Sequence, residues 1–299
     1  MGASRVRTPK HFVLEERLER YSAAIIAHPQ ELRGHWLKYE PHGIGNACTA
    51  ESTEDSRTYA EKAQAAPFRR LHLDLGCGKG SYLVQRAESE PETLFVGLDQ
   101  EPICIAYAAQ KICEARHANT VVAQSYADTL PEIFAPGEVD AMTLNFPTPE
   151  PKTKHAAKRL VYVDRLVMYR SILAHGATLT LRTDSQPLRD YALGQFVAAG
   201  YSTLWTSDDV RAEHPEHPET EYERRTREMG AKVYGICATP GAEPTPEQIE
   251  AGRAQEQSLM RYLPDDLESL TYVPLGMEDA VTNFRNRIRK GKKRLPQDD

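Results

Sequence analysis

The chain has 299 residues, enough for one large domain with extensions or for two small ones. Hydrophobic residues make up 40% and charged residues 27%, an ordinary globular composition, and no apolar run is long enough to span a bilayer. The net charge of −6 argues against a general polyanion binder.

The start, Met1-Gly2-Ala3-Ser4-Arg5-Val6, lacks the apolar stretch of a signal peptide and has Val6 where a myristoylation signal wants Ser or Thr. A cytoplasmic location is therefore expected. Cys48, Cys77, Cys104, Cys113 and Cys237 are scattered, with no C-x-x-C pair. They read as single thiols, and no metal site is expected from their spacing.

Residues 1–66 read as an N-terminal extension. Arg17 to Ile26 has the pattern of a short amphipathic helix, and the polar, Ala-rich stretch Thr49–Pro67 that of a linker or exposed helix. A regular region follows at 67–241. Short apolar runs fall at Leu71–Leu75, Leu94–Leu98, Thr120–Ala123, Val139–Leu144, Thr178–Leu181, Ser202–Trp205 and Lys232–Ala238. Helical-period segments lie between them, near Ser81–Glu88, Pro102–Arg116, Arg159–Ala174 and Gln186–Ala199. This alternation predicts a doubly wound α/β domain with a mostly parallel sheet. The last two runs have no clear helix between them, which suggests a hairpin at a sheet edge.

Residues 242–299 read as a C-terminal helical extension with a basic tail. Thr245-Pro246-Glu247-Gln248 is a helix start, with Thr245 as cap and Gln248 reaching back, and the helix is expected to run to about Leu263. Arg285–Arg294 holds seven basic residues and no acid; without it the rest of the chain carries −13. Two readings stay open for this tail: a polyanion contact or a solvated segment.

The chemical signal is Leu73-Asp74-Leu75-Gly76-Cys77-Gly78-Lys79-Gly80, which follows a predicted strand and opens a helix. Glycines there let the backbone turn sharply and approach a ligand. The spacing is G-x-G-x-G, neither the dinucleotide fingerprint nor a P-loop. Asp74 would repel a pyrophosphate but suits the ammonium and sulfonium of S-adenosylmethionine (SAM). Asp99 ends the next predicted strand and can accept from ribose hydroxyls. Asp99 alone supports a nucleoside without choosing between SAM and an NAD-type ligand. Solvation and helix capping are the plainer roles for both acids.

Downstream come Leu144-Asn145-Phe146-Pro147-Thr148-Pro149-Glu150-Pro151-Lys152-Thr153-Lys154-His155, Lys158-Arg159-Leu160, Leu181-Arg182-Thr183-Asp184 and Glu219-Thr220-Glu221-Tyr222-Glu223-Arg224-Arg225. With Pro29–Trp36, Gly230 and Lys232–Ala238, this ordered set resembles the tRNA (guanine-N7)-methyltransferase family, TrmB in bacteria, over roughly residues 29–240. The resemblance implies a Rossmann-like class I SAM-dependent methyltransferase that acts on tRNA without a metal, as a monomer or weak homodimer. It implies a SAM site at Asp74, Gly76, Gly78, Gly80, Asp99, Tyr126, Ala127 and Asn145. Substrate contacts are implied at Lys152, Asp184, Thr220, Glu221, Tyr222 and Glu223, and catalytic roles at Thr148, Asp184 and Glu223.

Three departures stand out. Thr148 replaces the family's aspartate, Glu150 its tryptophan, and Tyr126-Ala127 its usual Asp-Ala. Two other readings are therefore kept: a diverged member that methylates another substrate, and an RNA-binding member without turnover. For the implied reaction, guanine N7 has an in-plane lone pair and no proton, so a general base is not required. Positioning and electrostatics suffice, with carboxylates stabilising the cationic purine. Lys154, His155, Lys158 and Arg159 are candidate phosphate contacts. The plainer alternatives are helix capping by Asp184 and a surface pair between Glu223 and Arg224.

Overall fold

The computed structural model describes residues 8–40, 68–264, 266–267 and 270–291. The expected linker at 49–67 and the end of the basic tail lie outside these residues. Seven strands form one sheet in the order β3-β2-β1-β4-β5-β7-β6. The chain divides into two compact units. One comprises the described residues of Arg5–Thr143 with Ser171–Ala177, the other Leu144–Arg170 with the described residues from Thr178 on.

In the first unit, β1 (Arg70–Leu75), β2 (Thr93–Asp99), β3 (Thr120–Gln124) and most of β4 (Val139–Asn145) match the predicted runs to within two residues. β1 pairs in parallel with β2 and β4, and β2 with β3. Leu94, Phe95, Val96, Leu98, Val121 and Val122 are buried, as strands covered on both faces require. The register sets Asp74 opposite Gly97 on one side and Thr143 on the other. The helices of this unit include α1 (Leu14–Arg20), α2 (Ser81–Ser89), α3 (Pro102–Ala115) and the short α4 (Leu130–Ile133). The first is shorter than expected: Ser22–Ala24 tightens into a 3-10 turn, and Ile25 bridges to Val122 of the sheet.

In the second unit, β5 (Leu173–Thr183, shared with the first), β6 (Tyr201–Ser207) and β7 (Tyr234–Pro240) accompany α5 (Val163–Ile172) and α6 (Gln186–Ala198). β7 runs antiparallel to both β5 and β6, so the expected hairpin partners do pair, with β6 at the edge. Two short helices nevertheless lie between them, α7 (Val210–Glu213) and α8 (Glu221–Glu228), capped by Asp209 and Thr220. One is only four residues long and the other, EYERRTRE, is almost wholly polar, so hydrophobic periodicity could not reveal them.

Two helix boundaries differ from expectation for tertiary reasons. α5 starts at Val163 rather than Arg159, because Arg159 turns inward to donate to the carbonyls of Glu150 and Gln257. α9 (Pro246–Ala254) has the expected Thr245–Gln248 capping box but stops well before Leu263. Gln255 leaves the helix to donate to the Tyr191 carbonyl, and Gln257 accepts from the Tyr191 hydroxyl. The chain closes on α10 (Glu278–Arg289). No described helix is long and apolar enough to cross a membrane.

Cys77, Cys104 and Cys237 are free, buried thiols, as expected; Cys113 is disulfide-bonded, which corrects that expectation for this residue.

The segment Pro29–Trp36 is anchored in the first unit. Trp36 is fully buried, its indole N–H donates to the Ile133 carbonyl at 3.0 Å, and its ring packs on Phe134. The Glu138 carboxylate accepts from the backbone N–H groups of Gly34, Trp36 and Ala135. Trp36→Ala is expected to cost about 3–5 kcal/mol of stability by opening a cavity. Urea denaturation followed by far-UV circular dichroism checks this; a midpoint unchanged from wild type would contradict it.

Candidate functional site

The glycine loop joins β1 to α2. Gly76, Gly78 and Gly80 all have positive φ, at 77°, 53° and 74°. At Gly80 the reason is packing, since a Cβ would lie 2.8 Å from that of Ala108 on α3. At Gly78 the space beside Cα is open, with no heavy atom within 4 Å of a built Cβ. Gly78 thus presents bare backbone to a cradle that a side chain would fill, as a closely approached ligand needs.

Asp99, at the end of β2, ties this loop down. Its carboxylate accepts from the Gly78 N–H and the Glu101 N–H, each at 2.9 Å. Burial raises its pKa, and those two N–H groups oppose the rise. Each carboxylate oxygen can accept more than one hydrogen bond, so capacity remains for hydroxyl donors. Asp74 is buried on β1, and its Oδ1 accepts from the Thr143 hydroxyl at 2.8 Å. That hydroxyl also meets His72 Nε2 at 3.2 Å. Tyr126 and Ala127 follow β3; Tyr126 is 56% exposed, so its ring is available to a flat partner. Gly76, Gly78, Gly80, Asp74, Asp99, Tyr126 and Ala127 all belong to the first unit.

The second unit holds the other predicted residues. Asn145 ends β4, and its Oδ1 receives a long contact of 3.5 Å from Arg182 Nη1. Phe146 follows with φ of 53°, held by its N–H to the Arg182 carbonyl at 2.7 Å. Thr148 is exposed, next to the turn at Gly276. Lys152, Lys154 and Lys158 are exposed, and His155 pairs with Glu150 at 3.3 Å. Arg159 differs: it is buried, holds backbone carbonyls and lies over the Tyr191 ring at 4.5 Å, so it is not available to phosphates.

Glu223 has no exposed side-chain surface. Its Oε2 receives Arg182 Nη2 at 2.5 Å, and its Oε1 receives Arg211 Nη2 at 2.5 Å and Nε at 3.0 Å. The alternative of a surface pair with Arg224 is thereby replaced by a buried ionic triad. Thr220 caps α8 by accepting from the Glu223 N–H. Tyr222 packs on Phe146, with ring centroids 5.0 Å apart, and donates to Asp184 Oδ2 at 3.1 Å. Asp184 is 5% exposed and does not cap α6; Ser185 does that. Burial raises the Asp184 pKa, and hydrogen bonds from the hydroxyls of Tyr272 and Tyr222 pull it back. Glu221 lies exposed at the start of α8. Among the described residues no group of three or more His, Cys, Asp or Glu could hold a metal ion.

Two features of this site escaped the sequence reading. Arg182 lies within β5, directly after Leu179-Thr180-Leu181, and a charge buried there requires a partner; that signal was present. Tyr272 carried no signal at all.

Residues 69–236 match a family described as "Putative methyltransferase". The chain belongs to that family. Among curated relatives, the tRNA (guanine-N(7)-)-methyltransferase of Streptococcus uberis is 29% identical over 234 residues, covering 78% of this chain and 99% of that protein. A tRNA (guanine-N(7)-)-methyltransferase of Streptococcus agalactiae is also 29% identical, with the same coverage. A solved structure, that of the 16S rRNA methyltransferase KamB, aligns with a TM-score of 0.49 at 16% identity, covering 64% of this chain and 95% of that one. The family match ends before α9 and α10.

Removing one member of a buried ion pair leaves an uncompensated charge. Glu223→Ala is therefore expected to destabilise the protein by about 3–5 kcal/mol. Urea melts of the purified variant test this, and a loss below about 1 kcal/mol would mean that the triad contributes little.

Proposed function

We propose that this family member transfers the methyl group of SAM to N7 of a guanine in tRNA, the variable-loop guanine by resemblance. The observation that carries the reading is the cradle at Gly78. Open space beside a positive-φ glycine, with Asp99 of β2 hydrogen-bonded to it and Asp74 near the end of the adjacent strand β1, fits a nucleoside bearing a cationic group. SAM supplies an electrophilic methyl when bound. In this assignment Asp99 accepts from ribose hydroxyls, Asp74 faces the ammonium end, and Tyr126 and Ala127 border the base. The names of the curated relatives, which span nearly their whole length here, supply the substrate.

The residues of the second unit take the purine. N7 carries no proton, so the protein has no base to provide. Asp184 accepts from the guanine edge and offsets the positive charge that develops on the ring. Thr148 lines the approach. Lys152, Glu221 and Thr220 contact the RNA, and Lys152, Lys154 and Lys158 present exposed cations to its phosphates. Glu223, enclosed between Arg182 and Arg211, serves as a positioning residue: it fixes the start of α8 and so the direction of Tyr222.

The test is methyl transfer from labelled SAM to tRNA lacking N7-methylguanine, with the modified base mapped. The expected product is N7-methylguanine. Methyl transfer to another base, or none with SAM still bound, would replace this reading with one of the other two. Gly78→Val is expected to abolish calorimetric SAM binding while the fold is retained. Unchanged affinity in the folded variant would remove the cradle from the assignment.

Thr148 stands where relatives of the family carry a carboxylate, so transfer should be slowed but not forbidden. A missing charge beside the developing cation costs on the order of 2–4 kcal/mol by analogy with single electrostatic contacts in active sites. That is roughly 30- to 1000-fold in rate. Thr148→Asp should raise kcat within that range; an unchanged kcat would show that Thr148 does not face the reacting ring.

A further inference from the structure

The segment between Leu267 and α10 lies beyond the family match, yet it reaches the acid just assigned to the purine. Leu267 and Met277 are buried, and Ser185, the residue after Asp184, donates to Met277 Sδ at 3.3 Å. Gly276 turns there with φ of 89°, against Pro149 and Thr148. The segment is thus pinned on either side of Tyr272. The Tyr272 hydroxyl lies 2.5 Å from Asp184 Oδ2, the same oxygen that Tyr222 reaches at 3.1 Å.

Two hydroxyls on Oδ2 restrain rotation of the carboxyl group and occupy both lone pairs of that oxygen. Hydrogen bonds to the charged form also favour it, against a burial that disfavours it. Both effects suit a carboxylate that must be ionised and aimed when an N–H of a purine edge arrives.

We propose that Tyr272, supplied by the C-terminal extension, is a positioning residue for Asp184 in substrate recognition. The proposal rests on the reading of Asp184 as the acid that binds the guanine. The groups facing Asp184 are Tyr222 from α8, Tyr272 from the extension and Glu278 from α10, whose negative charge opposes ionisation. The sign follows. Loss of the Tyr272 hydroxyl removes an interaction that lowers the Asp184 pKa, so the pKa rises. The acidic limb of kcat/KM then moves to higher pH.

The experiment compares the full-length wild type with Tyr272→Phe, Tyr222→Phe, Asp184→Asn and the Tyr272→Phe/Asp184→Asn double variant. It measures kcat/KM against pH with unmodified tRNA, together with SAM affinity and the urea midpoint. Tyr272→Phe is expected to lower kcat/KM at neutral pH by about tenfold or more, the scale of one hydrogen bond to a charged group. Its acidic limb should shift upward, with SAM affinity unchanged. Tyr222→Phe should shift the limb the same way but less, and Tyr272→Phe should have no further effect in the Asp184→Asn background. An unmoved acidic limb, with Asp184→Asn inactive, would reduce Tyr272 to a strut and overturn the proposal. Additive losses in the double variant would do the same. A rise in kcat/KM would mean that the segment blocks the acid, which also overturns it. If Asp184→Asn itself keeps full activity, the underlying reading of Asp184 falls, and the positioning role falls with it.

Discussion

The second unit depends on one carboxylate buried between two guanidiniums. Glu223 has no exposed side-chain surface and meets Arg182 of β5 and Arg211 of α7. A charge so placed is tolerable only while its partners stay in register. The triad therefore fixes the end of β5, the short helix α7 and the first turn of α8 together. Arg182 extends the constraint, lying over the Phe146 ring at 5.7 Å while its carbonyl accepts from the Phe146 N–H. Phe146 carries Tyr222, and Tyr222 reaches Asp184. The orientation of the Asp184 carboxylate is thus tied, through Tyr222 and Phe146, to the buried Glu223 triad.

The first unit solves its problem with backbone. Asp99 commits hydrogen bonds to the N–H groups of Gly78 and Glu101, which hold the loop in a shape that only glycine adopts without strain. The loop then offers open space beside Gly78 rather than side-chain functional groups.

The contrast bears on the departures at Thr148 and Glu150. Both lie in a loop with strained backbone, since Phe146 and Glu150 have φ of 53° and 49°. That loop is held by Arg159, which donates to the Pro149 and Glu150 carbonyls from a buried position, and by the turn at Gly276. The basic residue that a sequence reading offers to phosphates is instead the internal brace of the loop. The neighbouring Lys152, Lys154 and Lys158 lie at the surface.

The sequence by itself determined the order of the seven strands and of the longer helices between them, because apolar runs and helical periods are local patterns. It also located the glycine cradle with Asp74 and Asp99, because that turn needs glycine and its acids sit at fixed places on adjacent parallel strands. The capping box at Thr245 was legible for the same reason. The helices α7 and α8 were not, being too polar and short to carry a period. Nor was the role of Glu223, since an acid followed by two arginines reads as a surface pair until Arg182 and Arg211 arrive from elsewhere in the chain. Tertiary structure alone placed Tyr272 on Asp184. The two lie 88 positions apart in the chain, and no local pattern encodes a hydroxyl brought to a carboxylate by the packing of Leu267 and Met277.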